Sequence, residues 1–321
     1  MGKASRRKRQ AQVAQDTQDA PGAQGAQGAQ GTQGTRGTRG TKAIPAPYVA
    51  RPFHGLPAES DWVAMREIVP AATATLAIRP DAPGVPADAP AEVTVATVLP
   101  MAWPGMRRAD GAALVALQTV QSGGDPSRDV AQALLAVLAA EPGTPVAGLP
   151  PATAQTPRLQ DLIAPDGDFA VTVHDDFGFW IAPDTTLEGE AKASLEEANA
   201  AIIPTTKMAA ADSAYWCRVG ERTHLRWILP HDEDAAIDAL ARLHAAGTDS
   251  LGEHTRLLGA FRAGGLLCPV WDLDPARTAG DYEDPLATLA AALTAALTDA
   301  PLTSQERRAK NGLLSRQLTL R

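Results

Sequence analysis

The sequence predicts an α+β fold: two similar hairpin–helix–hairpin halves, antiparallel sheets covered by helices, and a disordered N-terminal arm. Three observations lead there. From Ala214 to Asp272, strand-like residues run to Gly220-Glu221, return, give way to helical spacing, and resume around Gly264-Gly265, which is hairpin, helix, hairpin. Residues 92–182 carry strands, a helix and strands in a matching order. From Gly22 to Gly40 glycine recurs at every third position. That spacing raises a collagen helix, but the triplets are few and contain no proline, so a flexible linker is expected.

The arm is assigned to residues 1–51. It carries nine Lys or Arg against two Asp, whereas the whole chain has a formal net charge of −8, so a basic arm precedes an acidic body. Order is expected from about Pro52. Pro57 suits a first helical turn, and Trp62, Met65, Ile68 and Val69 form a stripe that Pro70 ends. Pro80, Pro83, Pro86 and Pro90 mark an exposed loop. Strands follow at Glu92–Leu99 and Ala112–Val120, rich in β-branched residues. Asp125-Pro126 is a cap with proline at the first helical position, before a stripe of Val130, Leu134, Val137 and Leu138. Phe169–Val173 and Phe177–Ile181 look like a hairpin around Asp175-Asp176, and a helix is expected near 187–201.

In the second half, strands flank Gly220-Glu221, a helix spans Asp232–Ala246, and a hairpin turns at Gly264-Gly265. The turn strings Arg108-Ala109-Asp110-Gly111 and Arg218-Val219-Gly220-Glu221 sit at matching places, so 92–182 and 214–272 are expected to be repeat-like halves of one globular region, 52–321. Asp284-Pro285 opens a helix with Leu286, Leu289, Leu293 and Leu297, and a basic amphipathic segment closes 284–317.

Composition excludes several classes. Hydrophobic residues are 45% and aromatic residues 4%, so Trp180, Trp216, Trp227 and Trp271, on or beside strands, should anchor an Ala/Leu/Val core. Trp103, between Pro100 and Pro104, is the one expected to turn outward. Two cysteines cannot form a disulfide scaffold. The basic start lacks the apolar region of a signal peptide, and no run approaches the roughly 20 apolar residues of a membrane span, so cytoplasm is expected. The surplus of carboxylates excludes a broad nucleic-acid surface on the body.

Several strings resemble an uncharacterised actinobacterial family catalogued as a domain of unknown function: Arg51-Pro52-Phe53, Arg66-Glu67-Ile68-Val69-Pro70-Ala71-Ala72-Thr73, Leu99-Pro100-Met101-Ala102-Trp103-Pro104, Tyr215-Trp216-Cys217-Arg218 and Thr223-His224-Leu225-Arg226-Trp227. The resemblance covers nearly everything after residue 50 and carries no catalytic residues. Members are sometimes labelled as preprotein translocase SecA or as a topoisomerase. A translocase motor needs a phosphate-cradling Gly-x-x-x-x-Gly-Lys-Ser/Thr loop, and the Gly-Lys pair of this chain is Gly2-Lys3. A topoisomerase needs an ATPase domain and far more chain. Neither activity is expected.

The sharpest candidate surface lies on the hairpin at Gly220. With a two-residue turn, Cys217 stands opposite His224 and Tyr215 opposite Arg226, so Tyr215, Cys217, Arg222, His224 and Arg226 share a face, while Trp216, Leu225 and Trp227 face the core. A thiol beside an imidazole and two guanidinium groups is a setting that activates cysteine. The same face would also serve as a polar binding surface. Zinc at Cys217, His224, Cys268 and His254 lacks any ligand spacing, and His231-Asp232-Glu233-Asp234 is better explained as a helix cap. The leading expectation is a non-enzymatic binding or adaptor module for a protein or small ligand, with no cofactor. The alternatives are a small enzyme using Cys217 and His224, or weak RNA or ribosome association through residues 3–9 and the basic C-terminus.

Overall fold

The structure is a computed structural model that describes residues 43–97, 103–118, 123–183 and 185–315. The elements in order are α1 (Glu59–Glu67), β1 (Ala72–Ala77), β2 (Glu92–Ala96), β3 (Gly105–Arg107), β4 (Ala113–Ala116), α2 (Pro126–Leu138), β5 (Thr144–Val146), α3 (Leu159–Leu162), β6 (Thr172–Val173), α4 (Gly189–Ala200), β7 (Thr205–Lys207), β8 (Ala214–Val219), β9 (Arg222–Trp227), α5 (Glu233–Ala246), β10 (Arg256–Ala263), β11 (Leu266–Leu273), α6 (Glu283–Ala296) and α7 (Ser304–Ser315). They form an α+β fold with two antiparallel-rich sheets, ordered β5-β3-β4-β2-β1-β6 and β10-β11-β9-β8-β7.

Side-chain alternation shows how the layers stack. In β4 all four residues are buried: Ala113 and Val115 join the core shared with α1 and α2, and Leu114 and Ala116 join a smaller core on the opposite face. A strand buried on both faces needs a cover on each. In β11, Leu266, Cys268 and Val270 point into that same α1 core, whereas Leu267, Trp271 and Leu273 point into a core built with α5, α6 and α7. The chain therefore stacks α4, the first sheet, the α1–α2 layer, the second sheet and the α5–α7 layer. Helix α1 lies between the sheets. Residues 60–65 are all buried, so over this stretch the helix has no solvent face.

The local signals account for most elements. Asp125 caps α2 by accepting from the Ser127 amide at 3.1 Å, with Pro126 at the first position. Asp232 does the same for α5 through the Asp234 amide at 3.0 Å, and Gly247 ends that helix at φ 70°. Both hairpins of the second half form at the expected turns, with Val219 opposite Arg222 and Ala263 opposite Leu266.

Four expectations need correction. Pro57 is outside α1; the helix starts after Ala58, which adopts φ 50° so that Trp62 Nε1 can donate to the Pro57 carbonyl at 3.1 Å. Phe177–Ile181 is not a return strand but a 3-10 turn over Gly178–Trp180, because Asp176 accepts from the Gly178 amide at 2.7 Å and curls the chain. The halves consequently differ in strand order. The first contains a parallel pair, β2 with β4, and its post-helix strands β5 and β6 sit at opposite edges instead of pairing as β10 and β11 do. Order also begins before Pro52: Pro45 bridges Thr153, and the Val49 amide donates to the Gly124 carbonyl at 2.9 Å. The Gly-triplet arm lies outside the described residues. Among the described residues, no helix is long and apolar enough to cross a membrane.

Candidate ligand-binding site

The hairpin at Gly220 has the expected register. Cys217 pairs with His224, Tyr215 with Arg226 and Trp216 with Leu225, and Trp216, Leu225 and Trp227 enter the core beneath α5. The other face is not an open surface. Because it looks toward α1, Tyr215 and Cys217 are each only 1% exposed, His224 and Arg226 are half-buried, and Arg222 alone is exposed beside the turn. Burial pushes the Cys217 thiol up, and the nearby Arg226 charge offsets this only in part. Burial also lowers the pKa of His224, against the pull of Asp272 at 3.7 Å. Both groups are therefore held neutral, the reverse of an activated thiolate–imidazolium pair.

Tyr215 belongs instead to a polar cluster that sequence reasoning missed. Its hydroxyl donates to Asp61 of α1 at 3.2 Å; Ser213 donates to the same carboxylate at 2.7 Å, and Lys207 pairs with it at 3.2 Å. Ser213 Oγ also lies 2.9 Å from Ser60 Oγ. A buried carboxylate costs several kcal/mol unless paired and hydrogen-bonded, and here the partners come from β7, from β8 and from Ser213 just before β8. Asp61 thus ties α1 to β7 and β8. Its sequence signal was ambiguous, since an acidic residue in a first turn already has a reason to be there.

A cavity of about 320 Å³ opens on the outer face of the first sheet. Among the described residues its walls include Trp103, Met106 of β3, Trp180, Ile181, Leu187 and Leu195 of α4. The exposed Ala109, Gly143, Thr185 and Ala191 form its rim. Trp180 is fully buried and anchors the small core beneath the cavity, with Leu114 and Phe177. Helix α4 has no fully buried residue; Leu195 and Ala198 rest half-buried on that core. The helix therefore spans the sheet without filling the space below it. Trp103, expected to face outward, is half-buried against this cavity. Ala191, Leu195, Ala198 and Ile202 recur at helical spacing, a stripe that could have marked this face in the sequence.

The remaining candidates separate in space or find local partners. Cys268 is fully buried and its thiol is pushed up by that burial, while His254 is exposed on a turn at φ 60°. Among the described residues no group of three or more His, Cys, Asp or Glu is placed to hold a metal ion. Asp232 and Asp234 are used in the α5 cap, and Glu233 pairs with Arg262 at 2.5 Å. In the basic C-terminal segment Lys310 pairs with Asp238 at 2.5 Å. The basic run at residues 3–9 lies outside the described residues.

Fold and cavity together define an α+β domain with a shared central helix and, among the described residues, an apolar recess on its outer sheet. The chain belongs to the family of unknown function DUF5926, which matches residues 52–321. No curated protein and no solved structure matches the chain.

Proposed function

We propose that this protein is a non-enzymatic binding module whose ligand is a small molecule held between α4 and the first sheet. The carrying observation is the cavity: about 320 Å³, walled by two indoles, Met106, Ile181, Leu187 and Leu195. That size and composition fall within the range of small-molecule sites. Native mass spectrometry of the protein purified from its own cell tests this. A co-purifying small molecule should be present in the wild-type protein and lost in Ala191→Trp, which fills the rim from an exposed helical position. Equal recovery from both forms overturns the reading.

The enzyme alternative, with Cys217 as nucleophile, is disfavoured by the burial that raises its thiol. Thiol titration at neutral pH should find neither cysteine reactive until denaturant is added. Rapid labelling of Cys217 in the folded protein would restore the alternative. A second reading keeps the exposed end of the hairpin as a contact for a partner protein. It is favoured by Arg218 and Arg222, which place positive charge near the turn of an acidic chain. Arg222→Glu should then weaken partner capture at unchanged melting temperature.

A further inference from the structure

Building on the assignment of the cavity as a ligand site, we propose that its ligand is uncharged: an apolar molecule of roughly ten to twenty non-hydrogen atoms, judged from the volume and ordinary packing. Arg108 is the only charged side chain among the described wall residues. Its guanidinium would be the natural partner of a carboxylate or phosphate ligand. It is already committed. Nε donates to Asp110 Oδ1 at 3.1 Å and Nη2 to Asp110 Oδ2 at 2.5 Å, while Nη1 donates to the backbone carbonyls of Phe179 at 2.9 Å and Ile181 at 3.4 Å. Asp110 in turn accepts from the Ala112 amide at 3.1 Å, and its carboxyl is held below the usual range mainly by Arg108. The pair is neutral as a unit, and four of the five guanidinium N–H donors are spent locally.

An ionised ligand entering between Trp103, Met106 and Leu195 would lose water and meet no free counter-charge, which disfavours it. A neutral apolar molecule loses only unfavourable hydration. The same guanidinium, by bonding the Phe179 and Ile181 carbonyls, holds the 3-10 turn that carries Trp180 against the sheet. Arg108 therefore shapes the wall and does not recognise charge.

Two dyes of similar bulk test this: N-phenyl-1-naphthylamine, which is neutral, and 8-anilino-1-naphthalenesulfonate, which adds one sulfonate. The neutral dye should bind saturably and at least about tenfold more tightly, with its fluorescence gain lost in Ala191→Trp. In Asp110→Asn the guanidinium charge is uncompensated, so the sulfonate should gain affinity several-fold while the neutral dye changes little. If the sulfonate binds as tightly as the neutral dye and Ala191→Trp still removes both, the charge assignment fails and the cavity reading stands. If neither dye shows saturable binding sensitive to Ala191→Trp, the cavity reading fails too.

Discussion

Asp61 shows how one side chain can decide the arrangement of two sheets. Its carboxylate is 9% exposed and receives Ser213, Tyr215 and Lys207. Removing it leaves the buried Tyr215 hydroxyl without its acceptor, Lys207 without its counter-charge, and Ser213 with Ser60 alone. Asp61→Ala should therefore cost roughly 3 kcal/mol, the penalty for breaking a buried charged network from one side. Lys207→Met should cost less, because the lysine is 28% exposed and water can take over part of its role. Urea denaturation of the two variants checks the order, and a smaller loss in Asp61→Ala would mean that Lys207 organises the cluster. None of this was visible in the sequence. Tyr215 and its neighbours were placed on the correct face, since strand alternation is local, but what lies opposite that face depends on a helix about 150 residues away.

At the scale of elements, hairpins and caps were legible because their causes are short-range. Gly220-Glu221 and Gly264-Gly265 each announce a two-residue turn, and Asp125-Pro126 and Asp232 announce helix starts. The strand at β1 and the 3-10 turn at Gly178 were not legible. The first is a Thr/Ala segment whose burial comes from the α1 core, and the second depends on the side chain of Asp176 bending the chain. The two glycine turns also differ in their surroundings. Gly220 has φ 60° and open space at the position of a Cβ; Gly265 has φ 81° and a Cβ there would lie 2.6 Å from the Ala50 carbonyl oxygen. Gly220→Ala should cost about 1 kcal/mol, the price of left-handed backbone. Gly265→Ala should cost clearly more, since the segment before α1 must also move. Equal melting temperatures for the two variants would contradict the tight approach at Ala50.

Across the whole molecule, two histidines set the response to acid. His224 and His231 both have pKa values lowered from 6.5 by burial. A base whose pKa is lowered on folding is protonated more readily in the unfolded chain, so stability is full above about pH 6.5 and declines as pH falls toward the folded-state values. The melting temperature should hold near pH 7 to 8 and drop as pH falls below about 6.5, and His224→Gln should flatten that drop. Truncation tests the boundary at the other end of the chain. A form starting at Lys42 should melt within a few degrees of the full chain, whereas one starting at Pro52 should melt lower, having lost the Pro45–Thr153 bridge and the Val49–Gly124 bond. Similar melting of both forms would return the boundary to residue 51.

The buried course of α1 has a consequence for biosynthesis. The ribosome delivers this helix early, yet its Asp61 partners and the Phe261, Cys268 and Val270 wall emerge roughly 150 to 210 residues later. Until then the first half carries an unfinished apolar flank, and contacts of such long sequence separation close slowly. Nascent chains halted before β8 should be captured by chaperones and cut readily near Trp62, and the protection should appear abruptly once β11 has left the exit tunnel. Helix α1 thus waits for the second sheet before it is enclosed.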